Sequence, residues 1–101
     1  MKAGSFSHVA LTVSDFDRTV RFYWDVFGCP LVAAGNAPPH RVRGFFGVDA
    51  PAPSCRIGWL RVPGGATIEV FEFRPHQPPG DMAWNRVGLT HLAFNVRDTQ
   101  K

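Results

Sequence analysis

The 101 residues are 45% apolar and 19% charged with a formal net charge of +3, and nine Phe and three Trp supply bulk for a core; this is the profile of one small soluble globular domain. The basic residues are scattered, which argues for a solvated surface that mildly favours anionic substrates and against a nucleic-acid footprint. No stretch is apolar for long enough to span a membrane, and the opening Met1-Lys2-Ala3-Gly4-Ser5 has no apolar run behind it, so neither a membrane anchor nor a signal peptide is expected.

Phe6 to Val13 alternates with period two, so Val9, Leu11 and Val13 share one face while His8, Ala10 and Thr12 share the other. Ser14-Asp15 is a helix start signal, and Asp17 suits the positive end of the helix dipole. Phe16, Val20, Tyr23, Trp24 and Phe27 follow at helical spacing, Gly28 is placed for a left-handed cap, and Pro30 stops continuation. Leu31 to Ala34 reads as a short strand. Residues 36–54 are rich in Pro and Gly and read as a long loop with at most a short helical turn. Cys55 to Val62 and Ala66 to Phe73 read as a hairpin about Pro63-Gly64-Gly65. Arg74 to Gly80 reads as a linker, and Leu89 to Val96 as a final strand.

The helix must bury its apolar stripe against Val9, Leu11 and Val13, which leaves His8 on the uncovered face of the sheet. On the returning strand, Ile68, Val70 and Glu72 share one face, and Glu69 shares the other with Phe71 and Phe73. A mid-strand carboxylate among aromatic residues is costly unless it is paired or metal-bound. Glu69 therefore has two readings: a cross-strand ion pair with Arg56 or Arg61, or a ligand. The segment Ser7-His8-Val9-Ala10-Leu11-Thr12-Val13-Ser14-Asp15 recurs as Thr90-His91-Leu92-Ala93-Phe94-Asn95-Val96-Arg97-Asp98, an offset of 83 residues (90 − 7). That spacing suggests two copies of a module rather than a solenoid. In the second copy His91 matches His8, while Leu92, Phe94 and Val96 face the place of a second helix. Each histidine alone reads first as an ordinary strand histidine. Together, His8, Glu69 and His91 form a donor set suited to a borderline divalent metal such as Zn, Ni, Mn, Fe or Co.

Other residues carry plainer readings. Glu72 is expected to be a strand-end surface charge, and His40 and His76 to be solvated in Pro-rich loops. Arg41 and Arg43 belong to a solvated loop or reach toward an anionic substrate. Trp59 and Phe71 line a cup or fill it. The stripe of Phe16, Tyr23 and Phe27 is core, and Cys29 and Cys55 are reduced, buried fillers of a cytoplasmic protein.

These strings, with Arg21-Phe22-Tyr23-Trp24-Asp25-Val26-Phe27-Gly28, Ile68-Glu69-Val70-Phe71-Glu72-Phe73 and Gly88-Leu89-Thr90-His91, resemble the vicinal oxygen chelate superfamily of glyoxalase I, methylmalonyl-CoA epimerase, extradiol dioxygenases and the fosfomycin and bleomycin resistance proteins. The resemblance implies an α+β fold: a βαβββ module over residues 1–74, a linker over 75–88, and only the first strand of a second module over 89–101. It implies His8, Glu69 and His91 as ligands of a divalent metal, with Glu69 also the catalytic carboxylate. The usual fourth ligand, a Glu on the last strand of the second module, has no counterpart in this sequence. A Glu at position 69 looks more like glyoxalase I and related isomerases than like extradiol dioxygenases. The implied function is a metal-dependent lyase or isomerase acting on a small vicinal-oxygen substrate through an enediolate-type intermediate, incomplete in this chain alone and needing the rest of the cup from a longer natural chain or from the partner subunit of a homodimer. The alternatives are a non-catalytic, bleomycin-resistance-like ligand-binding module and an extradiol-type dioxygenase fragment.

Overall fold

In the computed structural model, which describes residues 1–80 and 83–97, the elements run β1 (His8–Thr12), α1 (Phe16–Phe27), β2 (Leu31–Ala37), α2 (Pro39–Gly44), β3 (Ser54–Arg61) and β4 (Thr67–Arg74). The four strands form one mixed sheet in the order β1-β4-β3-β2. β4 lies parallel to β1 and antiparallel to β3, which is antiparallel to β2. This is an α+β arrangement, as the sequence pattern implied.

Local chemistry accounts for α1. Asp15 is its N-cap, accepting a hydrogen bond from the Arg18 N–H, and Gly28 closes it in the left-handed conformation at φ 68°. The Gly28 and Cys29 N–H groups turn back to Trp24 and Tyr23 carbonyls, which satisfies the open C-terminal end. The helix seats on the sheet face built from Val9, Leu11, Leu60, Ile68 and Val70, with Phe16 and Cys29 buried in the same cluster. Its closest approach is at Gly58. A Cβ there would stand 2.5 Å from Phe16 Cζ and 3.0 Å from Leu31 Cδ1, and Phe16, only 1% exposed, has nowhere to swing.

The opposite face is covered over part of its extent. Ala37, Val42 and Cys55 are buried there with Phe46, Val48, Ile57, Phe71 and Phe73 around them. Val42 belongs to α2, so the segment read as a long loop is held by a core of its own, and its six-residue helix is a fixed wall. Burial pushes the Cys29 and Cys55 thiols above their usual range, with the Glu69 and Glu72 carboxylates adding to the effect at Cys55. Both cysteines are free and buried, and such thiols stay protonated and inert.

Residues 89–96, expected as a strand, make no sheet pairing. Phe94 instead stacks on Phe27 with ring centroids 4.3 Å apart and lies near Tyr23. An apolar segment with no strand beside it has taken the apolar surface of α1 as cover. Leu92 and Val96 remain exposed. Asp98, the end of the second copy of the repeat, falls outside the described residues. Among the described residues, no helix is long and apolar enough to cross a membrane.

Replacing Gly58 with Ala is expected to lower the unfolding free energy by about 1–3 kcal/mol through overpacking against Phe16. Urea denaturation of the two proteins checks this, and an unchanged midpoint would show that the helix does not bear on Gly58 as described.

Candidate functional site

Alternation decides which side chains the uncovered face presents. In β1 these are His8, Ala10 and Thr12, the exposed positions of an alternating strand. In β4 they are Glu69, Phe71 and Phe73, because Ile68, Val70 and Glu72 are buried on the other face. The register pairs Ala10 with Glu69 and Trp59 with Glu69, so Glu69 stands on the central strand with His8 diagonally on one side and Trp59 directly on the other.

The three meet. His8 Nε2 lies 3.6 Å from Glu69 Oε1, and the side chains are 41% and 14% exposed. The His8 and Trp59 rings are edge to face at 5.1 Å. Behind the imidazole, Ser7 Oγ lies 2.9 Å from His8 Nδ1. That hydroxyl occupies one ring nitrogen and leaves the other directed at the carboxylate, the sort of support that orients a ligating or proton-transferring histidine. Among the described residues neither Arg56 nor Arg61 forms an ion pair with Glu69. Arg56 belongs to the helix-covered side, where it pairs with Asp17 at 3.1 Å and lies 4.1 Å over the Phe16 ring.

His91 is placed elsewhere. It lines a cleft with Leu11, Tyr23 and Phe27, on the helix-covered side and away from His8 and Glu69. Among the described residues no group of three His, Cys, Asp or Glu side chains gathers as a metal site. The cause is the missing strand: without sheet pairing, residues 89–96 follow Phe94 onto α1. Even so, Thr90 Oγ1 sits 2.9 Å from His91 Nδ1, the same hydroxyl-to-imidazole bond as in the first copy.

Beside the His8–Glu69 pair, a groove of about 510 Å³ opens over β2 and α2. Trp59 belongs to both: its indole touches His8 and also walls the groove, together with Ile57, Phe45 and Phe46. Of the two readings for the aromatic residues on this face, Trp59 lines the cup and Phe71 fills it, packed against Phe46 and Phe73.

Glu72 corrects the expectation of a surface charge. It is 7% exposed, and its Oε2 accepts the Phe16 N–H at 2.7 Å while its Oε1 lies 3.4 Å from Arg74. A carboxylate at the N-terminus of α1 satisfies an amide that the helix itself leaves open and complements the dipole. The signal was present in the alternation, which already put Glu72 on the helix-covered face with Ile68 and Val70.

Comparison with known proteins bears on the family and the fold. The family model described as the Glyoxalase/Bleomycin resistance protein/Dioxygenase superfamily matches residues 5–101. A 2-epi-5-epi-valiolone epimerase from Actinomyces sp. is 35% identical, over 90% of this chain and 51% of its own length. The chain therefore spans about half of that curated relative. The crystal structure of a glyoxalase family protein from Bacillus cereus superposes with a TM-score of 0.77 at 20% identity, over 99% of this chain and 68% of the other.

Replacing Glu72 with Ala is expected to cost about 2–3 kcal/mol of stability, because it leaves the buried Phe16 amide without an acceptor. Chemical denaturation measures the loss. A loss below about 0.5 kcal/mol, the range of an ordinary surface substitution, would contradict the role given to Glu72.

Proposed function

Because the chain belongs to the glyoxalase/bleomycin resistance protein/dioxygenase superfamily, we propose that it contributes to a metal-dependent isomerase of the epimerase kind, moving a proton beside a carbonyl of a small vicinal-oxygen substrate. The observation that carries this reading is the His8–Glu69 pair on the open face. Its donors suit the metal the family implies. An imidazole nitrogen and a carboxylate oxygen each bind a divalent first-row metal at about 2.0–2.2 Å, and two donors already 3.6 Å apart need only a small adjustment to share one ion. His8 and Glu69 would hold it. We assign His91 as a further ligand, supplied by a second copy of the chain in a homodimer. The Thr90–His91 bond, which repeats the Ser7–His8 bond, supports that assignment.

When bound, the metal supplies Lewis acidity toward the substrate oxygens. The chain's own groups do the rest. The Glu69 carboxylate takes the proton from the carbon next to the carbonyl: the C–H bond breaks, its electron pair moves onto the oxygen, and an enediolate-type intermediate forms. Return of a proton to the opposite face inverts that carbon, and return at the neighbouring carbon gives the isomer. Trp59, packed against His8, limits water on one flank of the pair and keeps the imidazole from turning away.

Two measurements test this. Purified without chelators, the protein is expected to carry about one divalent metal per chain or per dimer, and His8→Ala to lose it. No metal in either protein, and no uptake of added Ni, Zn, Mn or Fe, would overturn the metalloenzyme reading. In D2O, exchange of the substrate hydrogen beside the carbonyl, followed by NMR over a panel of α-hydroxyketones with and without a carboxylate, is expected to fall on the order of 10²–10⁴-fold in Glu69→Gln. An unchanged exchange rate would remove Glu69 from the chemistry.

A further inference from the structure

On the groove side β2 presents Ala33, Gly35 and Ala37, positions too small to fill the space above an edge strand. The space is closed instead by Phe45 and Phe46 from the end of α2 and by Ile57 and Trp59 from β3, leaving the groove of about 510 Å³. That volume falls in the range for small-molecule sites, and an apolar lining with few polar groups is their usual character. Phe45 is 79% exposed, edge to face on Phe46 at 4.9 Å. It is held out as a wall where it has no core to fill.

Among the lining residues, Arg41 is the polar side chain on the groove's face; Asn36, paired with Arg56 across the strands, meets the groove through its backbone and turns its side chain to the helix-covered side. No carboxylate lines it, and among the described residues the Arg41 guanidinium has no ion pair. The other arginine of α2, Arg43, donates to the Ala50 carbonyl, while Arg56 and Arg74 are paired with Asp17 and Glu72 on the other face of the sheet. One unpaired planar cation at the rim of an aromatic cleft matches one carboxylate on a flat apolar body. A neutral polyol would ask for many hydrogen-bonding side chains, and a polyphosphate for several cations; neither is present.

We propose that this groove binds a small aryl-substituted carboxylate, with the acid on Arg41 and the ring between Phe45 and Trp59. This rests on the proposed function in one respect: Trp59 joins the groove to His8, so the ligand's oxygenated reacting end reaches Glu69. The substrate is then an organic acid rather than an uncharged sugar-like ring.

The test is a titration of the full chain, followed by amide NMR, with 2-naphthylacetate and with its uncharged counterpart 2-naphthylacetamide. The acid is expected to shift the amides of residues 33–37 and 45–46 and to bind about tenfold more weakly to Arg41→Gln, the loss typical of one charge-assisted hydrogen bond at a partly exposed site. The amide is expected to bind both proteins alike. Amide shifts along β3 and β4 of the free variant report whether it has kept its fold. No shift at residues 33–37, or equal binding of acid and amide to the unaltered chain, would overturn the proposal. Acid binding by an unaltered chain that neither holds metal nor exchanges substrate hydrogen would overturn the isomerase reading and leave the groove standing. Exchange activity without acid binding would overturn the groove alone.

Discussion

The first turn of α1 is the seat on which the rest of the molecule depends. Phe16 fills the gap that Gly58 leaves in β3, its amide is held by Glu72 of β4, and its ring is covered by Arg56. One residue thus ties the helix to two strands by packing, by a charge-assisted hydrogen bond and by a cation over its ring. The tie has a topological result. A helix fixed at this point holds the strand before it alongside β4 and parallel to it, and that pairing is what brings a residue numbered 8 against one numbered 69. The chemistry of the open face is downstream of a contact on the closed one.

The two faces of the sheet divide their duties cleanly. On one, branched aliphatic side chains meet α1 and exclude water. On the other, the same strands present an imidazole, a carboxylate and an indole. Burying Glu69 without a partner would cost more than a small domain has to spare, so its 14% exposure and its histidine neighbour are the conditions under which a mid-strand carboxylate is tolerated. The two hydrophobic clusters differ in the same way: the one beneath α1 holds the fold, and the one around Val42 and Cys55 holds a wall beside the groove.

Much of this was legible from residue order. Period-two alternation assigned the faces of β1 and β4, including the side shared by His8 and Glu69. Asp15, Gly28 and Pro30 bounded α1, and Pro63-Gly64-Gly65 marked the hairpin. The rest was not legible, for physical reasons. α2 spans six residues with one buried apolar side chain, too few to show a helical period, and it is kept by tertiary packing. Glu72 sat on the correct face, but its partner amide lies 56 positions away, beyond any local signal. Residues 89–96 repeat the pattern of β1 closely, yet a strand is defined by the neighbour it pairs with, and β1 owes its state to β4. Equal patterns with unequal neighbours gave unequal structures.

The small residues of β2 have an evolutionary consequence. The proposed proton transfer draws on β1 and β4, while the shape of the groove is set by β2, β3 and α2. Substitutions that enlarge Ala33 or Gly35 recontour the groove without disturbing the His8–Glu69 pair or the seat of α1. Selection can therefore reshape the groove of such a scaffold while leaving the His8–Glu69 pair untouched, and one fold becomes a source of many cavity shapes.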